Sequence, residues 1–179
     1  MKAIPLQENL LITWSKPRFF QSEIVLRLEK ELVGRLRYEL YDPASAVAEA
    51  ADGSWKFKYT HFLSSNVSIW TSNMNFLGAL ELSTTKPPEV NFLDGREFTW
   101  TASNSGQRSW QFSLEENTPV MRFVQESSAW RSRGYIQLIQ SPLEIPDVSL
   151  FCLLGCYLSN LEYSYYVGHA LNRSMMDVW

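Results

Sequence analysis

The chain has 179 residues, 45% of them apolar and 14% aromatic, and a formal charge of −3. A domain of that size buries about 70% of the surface its unfolded chain exposes, so one core forms without metal or disulfides and general disorder is excluded. The net acidity excludes a general nucleic-acid binder, which needs a basic footprint to release counterions.

The opening MKAIPLQENLLITW lacks the apolar run and small-residue cleavage site of a secretory signal, which points to a cytoplasmic protein. From there the chain reads as short stretches that alternate apolar and polar residues, the pattern of half-buried antiparallel strands. The predicted strands are Leu10–Trp14, Ile24–Leu28, Leu32–Asp42, Val47–Ala51, Trp55–His61, Val67–Thr71, Asn75–Leu82, Val90–Leu93, Arg96–Ala102, Ser109–Leu114, Thr118–Val124 and Gly134–Ile139. Asp52-Gly53 and Asp94-Gly95 are read as turns with positive φ, Pro87-Pro88 as a ladder break and Asn104-Ser105-Gly106 as a hairpin tip. In Trp55-Lys56-Phe57-Lys58-Tyr59 the aromatics share one face and the lysines the other.

After Pro142 and Pro146 the stretch from Ser149 to Tyr166 is predicted to be a helix over about 148–166, with Asp147 or Ser149 capping its first turn. Its core, Leu150 to Leu158, is apolar on every face and so needs burial on all sides. Spanning a membrane takes roughly 20 apolar residues, and Ser159, Asn160 and Glu162 interrupt this run well before that. About a dozen strands with one apolar face close into a barrel, and a barrel wide enough has room for a helix. The expected fold is therefore all-β, one domain: a closed antiparallel barrel of about twelve strands around a hydrophobic C-terminal helix.

Asp52-Gly53-Ser54-Trp55-Lys56-Phe57, Asp94-Gly95-Arg96-Glu97-Phe98-Thr99-Trp100, Trp110-Gln111-Phe112 and the apolar Leu150–Leu158 follow one another in an order that resembles the tubby C-terminal-like superfamily, which includes LURP-one-related proteins and phospholipid scramblases. The resemblance covers about Leu32 to Tyr166. It implies a twelve-stranded barrel around a central helix. It further implies binding of phosphoinositide headgroups through paired basic residues, or association with membranes. Two scramblase features, a cysteine cluster near the N-terminus and a calcium loop of spaced acidic residues, are not found in the sequence.

Read from the residues themselves, the binding candidates are basic pairs two apart on one strand face: Arg35 with Arg37, Lys56 with Lys58, and Arg131 with Arg133. Such a pair holds a phosphate by charge-assisted hydrogen bonds, or is simply solvated outer-face charge. Lys16 and Arg18 beside Phe19 and Phe20 form a second candidate, a basic-aromatic membrane contact. Catalytic signals are missing: His61 and His169 stand far apart, and no nucleophile elbow, phosphate loop or metal-ligand spacing occurs. Cys152 and Cys156, four apart on the helix, read as small buried side chains. The expectation is a non-catalytic binding module without cofactor or metal, contacting anionic phospholipid headgroups. A protein-interaction scaffold and a carrier of a small apolar ligand are the alternatives.

Overall fold

The computed structural model describes residues 1–5, 7–16, 22–42, 44–62, 64–82, 86–102, 108–114, 118–128, 131–139 and 147–161, with backbone alone at 61, 62, 64, 127, 128, 131 and 132. It contains twelve strands: β1 (Leu11–Ser15), β2 (Glu23–Leu28), β3 (Glu31–Tyr38), β4 (Ser45–Ala50), β5 (Ser54–Phe62), β6 (Ser64–Thr71), β7 (Phe76–Glu81), β8 (Glu89–Phe92), β9 (Glu97–Ala102), β10 (Ser109–Leu114), β11 (Thr118–Ser128) and β12 (Arg131–Leu138). Each pairs antiparallel with its sequence neighbours, and β1 pairs with β12 from Leu11↔Gln137 to Ser15↔Arg133, which closes the sheet. Among the described residues one helix, α1 over residues 148–161, fills the barrel. Every predicted strand is present, and so is the predicted enclosure.

Alternation sets which side chains enter the barrel. Trp55 and Phe57 point in and Lys56 and Lys58 out; Leu36 points in and Arg35 and Arg37 out. The wall varies in thickness around the helix. Gly34, Ala46 and Ala48 make β3 and β4 thin, so Leu153 comes within 3.3 Å of the position a Gly34 Cβ would take. Strands β8 to β11 instead supply Phe92, Phe98, Trp100, Phe112 and Phe123, and the Phe151 ring lies 4.4 Å from Phe98 and 5.4 Å from Phe92 and Phe112. Here the helix is the thin partner, because a Cβ on Gly155 would sit 2.1 Å from Phe123 Cζ.

Residues 148–159 of α1 are all buried. Burying each of Leu150, Phe151, Leu153, Leu154 and Leu158 contributes about 1.5–3 kcal/mol. Five such contributions are comparable with the roughly 5–15 kcal/mol net stability of a whole domain, so the barrel depends on its helix. The first helical bond, from the Phe151 amide to the Asp147 carbonyl at 3.2 Å, puts Asp147 at the cap position as expected. Ser149 is one residue inside the helix and buried.

Several turn and boundary expectations need correction. Gly95 has φ 87° and closes the β8–β9 hairpin, its amide bonding the Phe92 carbonyl at 3.0 Å. Gly53 has no positive φ; its missing side chain instead admits Trp55, whose Cζ2 would lie 2.7 Å from a Cβ there. Left-handed backbone falls on Asn9, Glu29, Met74 and Asp147, where a side chain costs roughly 1–2 kcal/mol relative to glycine. Strand β3 stops at Tyr38 rather than continuing to Asp42. The Asn104-Ser105-Gly106 tip and residues 162–166 of the expected helix lie outside the described residues.

Replacing Gly155 by Ala drives a methyl into the Phe123 ring. The expected loss is about 1–3 kcal/mol by urea denaturation, with Phe123→Leu in the same chain recovering part of it. An unchanged midpoint would show that the helix does not seat against Phe123.

Candidate functional site

The outer face of β3, β4 and β5 brings two of the predicted basic pairs together. Register places Arg35 opposite Glu49, Arg37 opposite Val47 and Glu23, and Val47 opposite Lys56. Arg35 Nε lies 3.0 Å from Glu23 Oε1, off the line of its N–H, while Arg37 Nη2 donates to Glu49 Oε1 at 2.7 Å. Lys56 Nζ lies 2.7 Å from Glu39 Oε1. Each arginine thus takes a diagonal carboxylate rather than the nearest cross-strand residue, a reach that long side chains allow. Three of these four cations therefore face a carboxylate, and an incoming phosphate must compete with it. Lys58, opposite Ser45 and Ser68, is exposed.

The third pair does not join them. Arg133 is three strands from Arg35 through Ser15 and Val25, about 14 Å at the usual strand spacing. Its Nε lies 2.9 Å from Glu126 Oε2. Arg131 belongs to β12, but its side chain is outside the described residues, as are Arg18, Phe19 and Phe20. Lys16 follows β1 at the end of the barrel reached by Ser159 and Asn160 of α1. It borders a cavity of about 10 Å³ lined with Trp14, Gln125, Cys156, Ser159 and Asn160. That is room for about one water.

At this same end the described residues of the β3–β4 connection, 39–42 and 44, are held from both sides. Asp42 accepts from Ser45 Oγ at 2.7 Å and from the Ala44 amide at 3.3 Å. The Ser45 hydroxyl, then the Ala44 amide and the charges of Lys58 and Lys56, hold the Asp42 carboxyl below its ordinary range. From inside, the Tyr157 hydroxyl of α1 donates to the Ala44 carbonyl, and its ring stacks on Tyr38 at 5.9 Å and meets Phe57 at 5.4 Å. With its two ends fixed, the connection projects Leu40 and Tyr41 into solvent, 79% and 96% exposed. The predicted strand to Asp42 concealed them; a pair of large apolar residues just before Asp-Pro was the available signal.

A second exposed group stands at the opposite end, on the hairpins β6–β7 and β8–β9. Met74 is 65% exposed, Leu93 72% and Phe76 36%, and Phe76 packs edge-on against Trp70 at 5.0 Å. Beside Leu93, Arg96 lies over the Phe92 ring at 5.0 Å. It reaches Asp94 at 2.6 Å and Asp147 at 3.6 Å, and so joins the β8–β9 hairpin to the start of α1.

The interior offers little chemistry. Burial pushes the thiols of Cys152 and Cys156 up and keeps them protonated. No group of His, Cys, Asp or Glu side chains among the described residues is arranged to hold a metal. No helix among them is long and apolar enough to cross a membrane. The fold and these surfaces define the class: a twelve-strand barrel filled by its own helix, with exposed apolar tips at both ends. No family model, curated protein or solved structure matches this chain.

Burial also raises the hydroxyl pKa of Tyr38 and of Tyr157, in both cases as the largest effect. A folded-state pKa above the unfolded value of roughly 10 gives stability that is complete below that pH and declines as pH rises past it. The urea midpoint should therefore be unaffected by these two groups from pH 8 to 9.5 and fall above about 10. Tyr157→Phe should flatten that fall. An equally steep decline in Tyr157→Phe and Tyr38→Phe chains would contradict the assignment.

Proposed function

We propose that this protein is a non-catalytic binding module that works from its surface and docks on anionic phospholipid at the end of the barrel that carries the β3–β4 connection. The observation that carries the proposal is the Leu40–Tyr41 tip, exposed and held on a fixed connection beside Lys58. An aromatic and an aliphatic side chain close to a lysine, here Lys58, whose charge also acts on Asp42, is the composition with which peripheral proteins enter the headgroup region. Lys16 stands at the same end. The outer-face residues Arg35, Arg37 and Lys56 contribute less to this reading than their spacing implies, because Glu23, Glu49 and Glu39 already compensate them.

The architecture agrees with the arrangement that the resemblance to the tubby C-terminal-like superfamily implies, and membership of that group is part of the proposal. The carrier reading is disfavoured because Leu150, Phe151, Leu153, Leu154 and Leu158 occupy the space a ligand needs, commonly 300 Å³ or more.

Co-sedimentation with phosphatidylcholine vesicles, with and without phosphatidylserine or phosphoinositide, tests the proposal. Binding should require the anionic lipid, fall at least about fivefold in a Leu40→Ser, Tyr41→Ser chain, and change less than twofold in an Arg35→Gln, Arg37→Gln chain. No binding to any vesicle, or binding indifferent to Leu40 and Tyr41, would overturn it.

A further inference from the structure

The apolar residues at the other end of the barrel have no part in that lipid contact. Trp70, Met74, Phe76 and Leu93 are brought to one end of the barrel because the β6–β7 and β8–β9 hairpins adjoin: the Leu93 amide bonds the carbonyl of Leu77, whose side chain packs against the core. A bulge between Ile69 and Trp70 pairs Trp70 with Phe76 and leaves Leu77 as the extra residue. Met74 occupies this surface at a cost. Its φ of 63° is a left-handed conformation that Asn or Gly adopts more easily, and its side chain is largely exposed rather than packed in the core. Large exposed apolar side chains gathered on adjoining hairpins mark an interaction site, and local strain without burial in the core points the same way.

The surroundings select the partner. Asp52 lies on the neighbouring β4–β5 hairpin, which contacts β6–β7 through the Ser72 amide and the Ser54 carbonyl at 3.0 Å. Asp94 follows Leu93. Glu97 sits opposite Asn91, which in turn sits opposite Ala79 on β7. With Asp147 these are four carboxylates, and Arg96, already bound to Asp94 and Asp147, is the cation among them. On the far side Lys56, opposite Trp70, is engaged by Glu39. The rim is therefore acidic, which repels an anionic membrane and suits a cationic partner. Strands β6, β7 and β8 are each paired on both sides, so no strand edge is open for a peptide to add to. A partner must dock by side chains alone.

We propose that this surface binds an amphipathic helix of a protein partner, with apolar residues against Met74, Phe76 and Leu93 and lysines or arginines against Asp52 and Glu97. A 14-residue helical peptide of Leu and Lys, titrated into the full chain by calorimetry with amide shifts mapped by NMR, is the probe. Its Leu and Glu counterpart is the control. The lysine peptide should bind at least tenfold tighter than the glutamate peptide and shift the amides of Trp70, Met74, Leu77 and Leu93.

Met74→Asn with Leu93→Ser should weaken binding at least tenfold while Met74→Asn alone raises the melting temperature, since Asn accepts the turn better. Asp52→Asn with Glu97→Gln should weaken it several-fold and reduce its salt dependence. Equal binding of the two peptides, or shifts centred on Leu40 and Tyr41, would overturn the proposal. So would self-association, or vesicle binding, that Met74→Asn with Leu93→Ser abolishes.

Discussion

A helix without a polar face is stable in water only where other parts of the chain cover it on every side. Residues 148–159 impose that condition here, and the twelve-strand meander meets it. The fit is reciprocal. Where β3 and β4 thin to Gly34, Ala46 and Ala48, the helix brings Leu153 and Tyr157; where β8 to β11 bring aromatic rings, the helix narrows to Gly155. Neither part has a core without the other, because the inward face of the sheet is hollow until the helix fills it.

Filling the interior leaves it little free space. Lipocalin-like barrels keep a cavity and use it. In this chain the cavity beside Cys156, Ser159 and Asn160 has room for about one water, and the thiols and tyrosines around the helix are kept neutral by burial. Leu40, Tyr41 and Leu93 are carried on connections that the helix itself braces. Tyr157 secures the connection bearing Leu40 and Tyr41, and Asp147, through Arg96, secures the hairpin bearing Leu93. One element therefore determines the placement of both apolar tips.

Much of the fold was legible because strand alternation is a local property. Trp55-Lys56-Phe57-Lys58-Tyr59 shows its inner and outer faces without reference to any neighbour, and the all-round apolarity of Leu150 to Leu158 demands enclosure wherever it occurs. The candidate site was less legible because ion pairing depends on register. Glu23, Glu39 and Glu49 meet Arg35, Lys56 and Arg37 only once three hairpins have set which residues face each other, and the bulge between Leu26 and Arg27 shifts that register by one. Two basic residues on a strand face look like an anion site until the carboxylates of the adjoining strands are in place. The glycines show the same limit. Gly95 has the positive φ its Asp-Gly turn suggests, while the equally suggestive Gly53 serves the packing of Trp55.

Amide hydrogen exchange of residues 150–158 tests most directly whether the helix is the core of the barrel. If it is, these amides exchange only through global unfolding, with a free energy equal to that from denaturant titration and at least as high as that of any strand. Exchange of the helix through a smaller opening, while β3 to β11 remain protected, would show a barrel that stands without its helix and would contradict the account.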